Sequence, residues 1–158
     1  MSNDTLQSTP HAAPITVDAL QASDYTAWQR LAQGYHTFYE RELLLATYQN
    51  TWERLLRGQG IHGFAARSSG QLLGITHYLF QPSVWAGDVV YLQDLFVDAS
   101  ARGQGVAQAL IEQVACVAAA HGAPKLYWLT HHTNARARRL YDRVASHHGF
   151  IRYDYALG

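Results

Sequence analysis

The sequence has one cysteine, Cys116, among 158 residues. A lone thiol excludes an internal disulfide framework and any zinc or iron–sulfur site built from several cysteines. Charge of one sign is also missing. Twelve basic residues cancel twelve acidic ones, and charged residues make up only 15% of the chain. A neutral chain lacks the electrostatic footprint of a general nucleic-acid or membrane-surface binder. The longest apolar run, Val114 to Ala120, spans seven residues, against the roughly 20 needed to cross a bilayer. The N-terminal stretch has neither the basic start nor the apolar core of a secretory signal. These absences predict a cytoplasmic protein with no nucleic-acid and no membrane partner.

Hydrophobic residues (48%) and aromatics (12%) are plentiful, so a core can form without disulfides or metal. The length fits one domain at roughly 150 residues each. Residues 1–13 are polar and proline-containing and read as a flexible arm; 14–158 read as a single domain. A short strand is expected over 15–17. Helices follow over 25–39, where Trp28, Leu31, Ala32, Tyr35, Phe38 and Tyr39 recur at helical spacing, and from about 43–47 to 56. Three β-rich runs, 61–67, 72–80 and 89–97, are joined by short turn-rich segments and predict an antiparallel meander. Then come a helix over 104–121 ended by Gly122, a strand over 126–130, a helix over 134–145 and a last strand over 150–156. The order predicts an α/β (α+β) mixed sheet, mostly antiparallel, flanked by helices.

The most informative stretch is Tyr91-Leu-Gln-Asp-Leu-Phe-Val97 followed by Arg102-Gly-Gln-Gly-Val-Ala107 at the start of a helix. The first N–H groups of a helix lack internal partners and carry the positive end of its dipole. Gly103 and Gly105 leave them open to an anion, and Arg102 adds a charge at the rim. No lysine follows as a P-loop requires, and Gln108 stands where a dinucleotide fingerprint needs its third glycine. Close packing of the helix is the other reason for glycines here.

These residues resemble the GNAT superfamily of acyl-CoA N-acyltransferases. Its phosphate motif (Arg or Gln, two residues, Gly, one residue, Gly or Ala) is met by Arg102, Gly105 and Ala107. Tyr91–Val97 looks like the corresponding strand of the spermidine/spermine N-acetyltransferases and of the branch acetylating histones, polyamines and some amino acids. Trp128, Thr130, Asn134, Ala137, Leu140, Tyr141, Gly149 and Phe150 follow in the family's order, and the resemblance runs from about residue 15 to 155. It implies a GNAT fold whose fourth and fifth strands splay into a slot. The pantetheine arm of acetyl-CoA would lie along Leu95, Phe96 and Val97. Backbone groups of Arg102, Gly103, Gln104, Gly105, Val106 and Ala107 would meet the pyrophosphate, and Asn134 would touch the cofactor from the far side.

The implied reaction moves an acetyl group from acetyl-CoA to a primary amine by direct attack in a ternary complex. The acceptor is a small-molecule amine, an amino acid or a peptide lysine. The Leu95 N–H polarises the thioester carbonyl, and Tyr141 protonates the departing sulfur. Relatives carry their glutamate base where this chain has Gln93, which cannot take a proton at neutral pH. Asp94 is the nearest carboxylate. It serves as base or substrate contact only if a bulge re-aims it, because adjacent strand residues face opposite sides; a structural role and a water chain ending on a histidine or tyrosine stay open. Phe38, Tyr39 and Glu40 fall over the acceptor slot. A catalytically silent acyl-CoA-binding module is the alternative.

Other features are less directive. His131-His132 and His147-His148 lack the spacing of a helical metal pair, and no metal is expected. His77 faces either the slot or the core. Arg136, Arg138, Arg139 and Arg143 form either a solvated face or a 3′-phosphate site. An amino-acid acceptor would need a cation such as Arg41 or Arg67 for its carboxylate. The resemblance also implies a homodimer, formed through Phe150–Ala156.

Overall fold

The computed structural model describes residues 13–158. The arm expected over 1–13 therefore lies outside the described residues except for Ala13, whose carbonyl accepts a bond from the Ser68 hydroxyl. Five strands form one sheet in the order β1-β2-β3-β4-β5: β1 Thr16–Ala19, β2 His62–Ser68, β3 Gln71–Gln81, β4 Val89–Val97 and β5 Leu126–Tyr127. The first four pair antiparallel, and β2–β4 form the expected meander. β5 pairs parallel to β4 and is reached through a crossover helix.

Helices cover both faces. α1 (Tyr25–Phe38) and α2 (Leu45–Arg57) lie on one side, where Trp28, Leu31, Tyr48, Trp52 and Leu55 pack with Ala65, Leu72 and Ile75. α3 (Val106–His121) lies on the other, burying Val106, Leu110 and Val114 against Phe64, Tyr78, Val90 and Leu92. α4 (Ala135–Val144) closes the end of the sheet, resting Leu140 and Tyr141 on that second cluster. α2 ends at Gly58, as the sequence predicts. Its last carbonyls are capped by a residue in the left-handed region, which glycine occupies without strain.

Two elements differ from expectation. β5 has two paired residues rather than five, because β4 and β5 diverge after Tyr91 and Tyr127 and the ladder has nothing to continue on. The strand expected over 150–156 does not form: 146–158 run without a ladder partner. A two-residue neighbour is too short a template, and Phe150, Tyr153 and Tyr155 stay exposed, so no burial favours pairing within one chain.

Candidate active site

The site is organised by an irregularity in β4. His77 of β3 stands opposite Asp94, but the next residue, Tyr78, stands opposite Leu92, leaving Gln93 as an extra residue. A bulge of this kind reverses which face each later side chain takes. Before it, Val90 and Leu92 face α3; after it, Phe96 faces α1. Asp94 shares that second face and meets His77, whose Nδ1 lies 3.0 Å from Oδ2. Gln93 is exposed, so the position that carries a glutamate in the resembled family points away.

Burial pushes the Asp94 carboxyl up, but His77 and the neighbouring Tyr35 hydroxyl together outweigh it and hold it below the usual carboxylate range. The same neighbourhood pushes the Tyr35 phenol far up, first through burial and then through the Asp94 charge. At neutral pH Tyr35 is thus a protonated group beside an ionised one.

Beyond Tyr91, β4 has no partner on its β5 side. Its free edge opens into a cleft of about 400 Å³. Leu95, Phe96 and Val97 form one wall; Arg102, Gly103, Gly105, Val106 and Ala107 form the floor at the start of α3. Gly103 and Gly105 adopt φ of 77° and 84°, where a side chain costs about 1–2 kcal/mol. A Cβ at either would touch nothing within 4 Å, so these glycines answer to backbone conformation, not to packing. Asp98 fixes the approach to this turn: its carboxylate accepts from the Ser100 amide (3.0 Å) and pairs with Arg30 of α1.

The opposite wall comes from α4. Asn134 caps this helix, its Oδ1 accepting from the Ala137 amide at 3.4 Å while Nδ2 donates to Thr130 at 3.1 Å. Its side chain lines the cleft but is engaged within its own loop. Tyr141 lines the cleft and is held edge-on against Trp128, with ring centres 5.3 Å apart. Burial pushes its phenol up to about 12. Arg136, Arg139 and Arg143 line the same wall, whereas Arg138 turns back to the His132 carbonyl.

Phe38, Tyr39 and Tyr35 also line the cleft, from the end of α1. α1 comes this close because it presents Gly34, where a Cβ would stand 2.7 Å from the Phe96 ring.

Several residues named from the sequence lie outside the lining of this cleft. Gln104 points its amide at the Ser100 carbonyl, and Glu40 sits in the turn after α1 with φ of 53°; neither lines the cleft. Gln93 and Asp94 do not line it either; Tyr35 stands between Asp94 and the opening. Arg67 is no acceptor contact, because it is bound to Asp18 (2.8 Å) and the buried Asp24 (2.7 Å) at the far side of α1. Tyr35 is the functional candidate that sequence reasoning passed over; as one aromatic in a helical stripe it carries no mark of its own. Among the described residues, no group of three or more His, Cys, Asp or Glu could hold a metal.

An opened strand edge that leads into a glycine turn at a helix N-terminus, faced by a protonated tyrosine, is the arrangement that the resemblance to the acyl-CoA N-acyltransferases implies. The chain belongs to the acetyltransferase (GNAT) family, whose model matches residues 25–145, and it is an N-acetyltransferase of that type.

It is similar to the D-amino-acid N-acetyltransferase HPA3 of Saccharomyces cerevisiae, 35% identical over 136 residues, 83% of this chain and 84% of that protein. It is also similar to the thialysine N-epsilon-acetyltransferase of Caenorhabditis elegans, 28% identical over 73% of this chain and 74% of the relative. Among solved structures, AAC(6')-Iy bound to a CoA bisubstrate analogue superposes with a TM-score of 0.82 at 17% identity, covering 92% of this chain and 99% of that one. At that identity the likeness is one of fold.

Proposed function

We propose that this chain transfers the acetyl group of acetyl-CoA directly to the primary amine of a small amino acid, both substrates being bound together. The observation carrying this reading is the free β4 edge from Leu92 onward, ending in the left-handed Gly103 and Gly105 turn with Tyr141 opposite. The Leu95 N–H polarises the thioester carbonyl, and backbone groups of Arg102–Ala107 hold the pyrophosphate. Arg136, Arg139 and Arg143 supply charge for the 3′-phosphate. Phe38, Tyr39 and Tyr35 wall the acceptor.

The basicity of Asp94 sets the order of events. A carboxylate held below its usual range cannot deprotonate a free alkylammonium of pKa near 10. The amine attacks as the free-base fraction that has lost its first proton to solvent, and Asp94 takes the second once the carbon–nitrogen bond forms and that nitrogen becomes strongly acidic. The surplus proton passes to the Tyr35 oxygen as the Tyr35 proton passes to Asp94. At the other end the carbon–sulfur bond breaks and the sulfur receives the Tyr141 hydrogen bond.

An amino-acid acceptor is supported by the names of the two relatives and by Arg41, whose positive charge lies close enough to act on His36 at the acceptor end. Peptide lysines are the wider class of the same reading. The silent-module alternative has no support from the relatives, which are named as enzymes over most of this chain's length.

A homodimer belongs to the same reading. It is supported by the unpaired tail, where Phe150, Ile151, Tyr153, Tyr155 and Leu157 are all exposed, next to the short β5. Removing 149–158 is expected to give a monomer by sedimentation; an unchanged dimer would refute that route.

Release of coenzyme A from acetyl-CoA, measured against L- and D-amino acids, spermidine and lysine peptides, tests the activity. Release that depends on an amino acid supports the reading. Tight acetyl-CoA binding with no amine-dependent release would overturn it.

A further inference from the structure

His77 is held from both sides. Its Nε2 lies 2.8 Å from Nε1 of Trp28, and its Nδ1 lies 3.0 Å from Oδ2 of Asp94. An indole N–H only donates, so Nε2 must be the bare nitrogen that accepts it. The single ring proton then sits on Nδ1 and points at Asp94. Trp28 is buried to 1% exposure between Tyr25, Tyr48 and Trp52, so its N–H has a fixed direction.

We propose that Trp28 is a positioning residue that keeps His77 uncharged, so that the negative charge of Asp94 reaches the acceptor end of the cleft uncancelled. A histidine beside a buried carboxylate otherwise takes up a proton, and the pair becomes neutral as a unit. Here the second nitrogen is blocked by a donor that cannot become an acceptor. The inference deepens the acetyltransferase reading and rests on it for its kinetic consequence, but not for the ring's protonation.

The other groups facing this pair do not replace Trp28. From α1 come the Tyr35 hydroxyl, already directed at Asp94, and His36, which burial holds below the ordinary imidazole range and whose Nδ1 has no partner. The Asp94 charge favours the charged form of His36, and Arg41, just beyond α1, disfavours it. From α2 comes Tyr48, whose phenol burial pushes up, and from β4 Tyr91, likewise pushed up by burial. β2 contributes Gly63 opposite His77, with no side chain. None of these is hydrogen-bonded to Nε2, whose partner is the Trp28 indole.

The direct test is nitrogen NMR of the wild-type imidazoles between pH 5.5 and 8.5. His77 is expected to show one N–H at Nδ1 and a bare Nε2 throughout. An Nε2–H tautomer, or a doubly protonated ring near neutral pH, would overturn the proposal, and this readout needs no turnover.

The kinetic test uses Trp28→Phe, which removes the donor. At pH 6.5 KM for a cationic amino acid is expected to rise about tenfold, with KM for acetyl-CoA unchanged and the difference gone by pH 8.5. Adding His77→Asn should restore the wild-type value, because the asparagine amide can donate to Asp94 but cannot take up a proton. A folded Trp28→Phe with the wild-type pH profile, or a loss that His77→Asn does not rescue, would refute the proposal. Should Trp28→Phe fail to fold, the wild-type NMR result decides alone. Absence of any turnover, with His77 in the expected tautomer, would count against the acetyl-transfer reading and leave the tautomer assignment standing.

Discussion

Replacing Tyr141 by Phe removes one oxygen from the wall opposite β4 and leaves the ring against Trp128. The wild-type phenol, pushed to about 12 by burial, is a weak acid next to a free thiol near 8.5. Completing proton transfer to a thiolate is therefore uphill by about 3.5 units, or about 5 kcal/mol. The useful contribution is the hydrogen bond to sulfur as its charge develops, about 1.5–3 kcal/mol for a bond to a charged group. That converts to a fall in kcat of about 10- to 150-fold. KM for acetyl-CoA should stay within about threefold, because the bond strengthens only as the carbon–sulfur bond breaks.

Steady-state thiol release, with single-turnover measurement of the chemical step, separates the two constants. The same value predicts a pH profile: a phenol that ionises only near 12 produces no alkaline fall of its own up to about pH 10. Retention of half the wild-type kcat in Tyr141→Phe would refute the argument. So would a loss confined to KM.

Gly105→Ala forces a Cβ onto a residue at φ of 84° and should cost about 1–2 kcal/mol, seen in thermal melts together with a raised KM for acetyl-CoA. A melt unchanged from wild type would show that the turn relaxes freely. Gly34→Val adds atoms where even a Cβ would stand 2.7 Å from the Phe96 ring; about 1–3 kcal/mol of overpacking and a lower kcat are expected, and an unaltered kcat would show that α1 does not set the acceptor wall. Asp24→Asn leaves the guanidinium of Arg67 short of its two-bond partner and should destabilise by about 2–4 kcal/mol in urea unfolding. Arg67 holds the Asp24 carboxyl below its ordinary value, so its stabilisation is complete above about pH 4 and is lost as pH falls through the lower folded value. The wild type should therefore weaken on acidification more steeply than Asp24→Asn.

The meander, the three long helices and the glycine turn were legible because each carries a local signal: a period, a cap or a left-handed residue. The glycine-turn end of the cleft was legible for the same reason, since Arg102–Ala107 are contiguous. The end walled by Tyr35, Phe38 and Tyr39 was not. Tyr35, His77 and Trp28 come from α1 and β3 and meet only after folding, so no spacing links them. Asp94 could be named but its facing depended on a bulge, and a bulge at Gln93 leaves no mark in composition. The strand expected over 150–156 alternates convincingly, yet alternation states only a capacity to pair, not the presence of a neighbour.

The extra residue in β4 divides that strand into two frames. Position 93 places no side chain in the cleft, so Gln93 can be exchanged for other polar residues at little cost to chemistry. Flattening the bulge is another matter. Were Gln93 drawn into regular alternation with its neighbours, the carboxylate of Asp94 would swing under α3 among Val106, Leu110 and Val114, and Phe96 would lose its seat against Gly34. Deleting Gln93 would instead leave Asp94 directly after Leu92 and on the face it already holds, so the extra residue can be lost but cannot be paired.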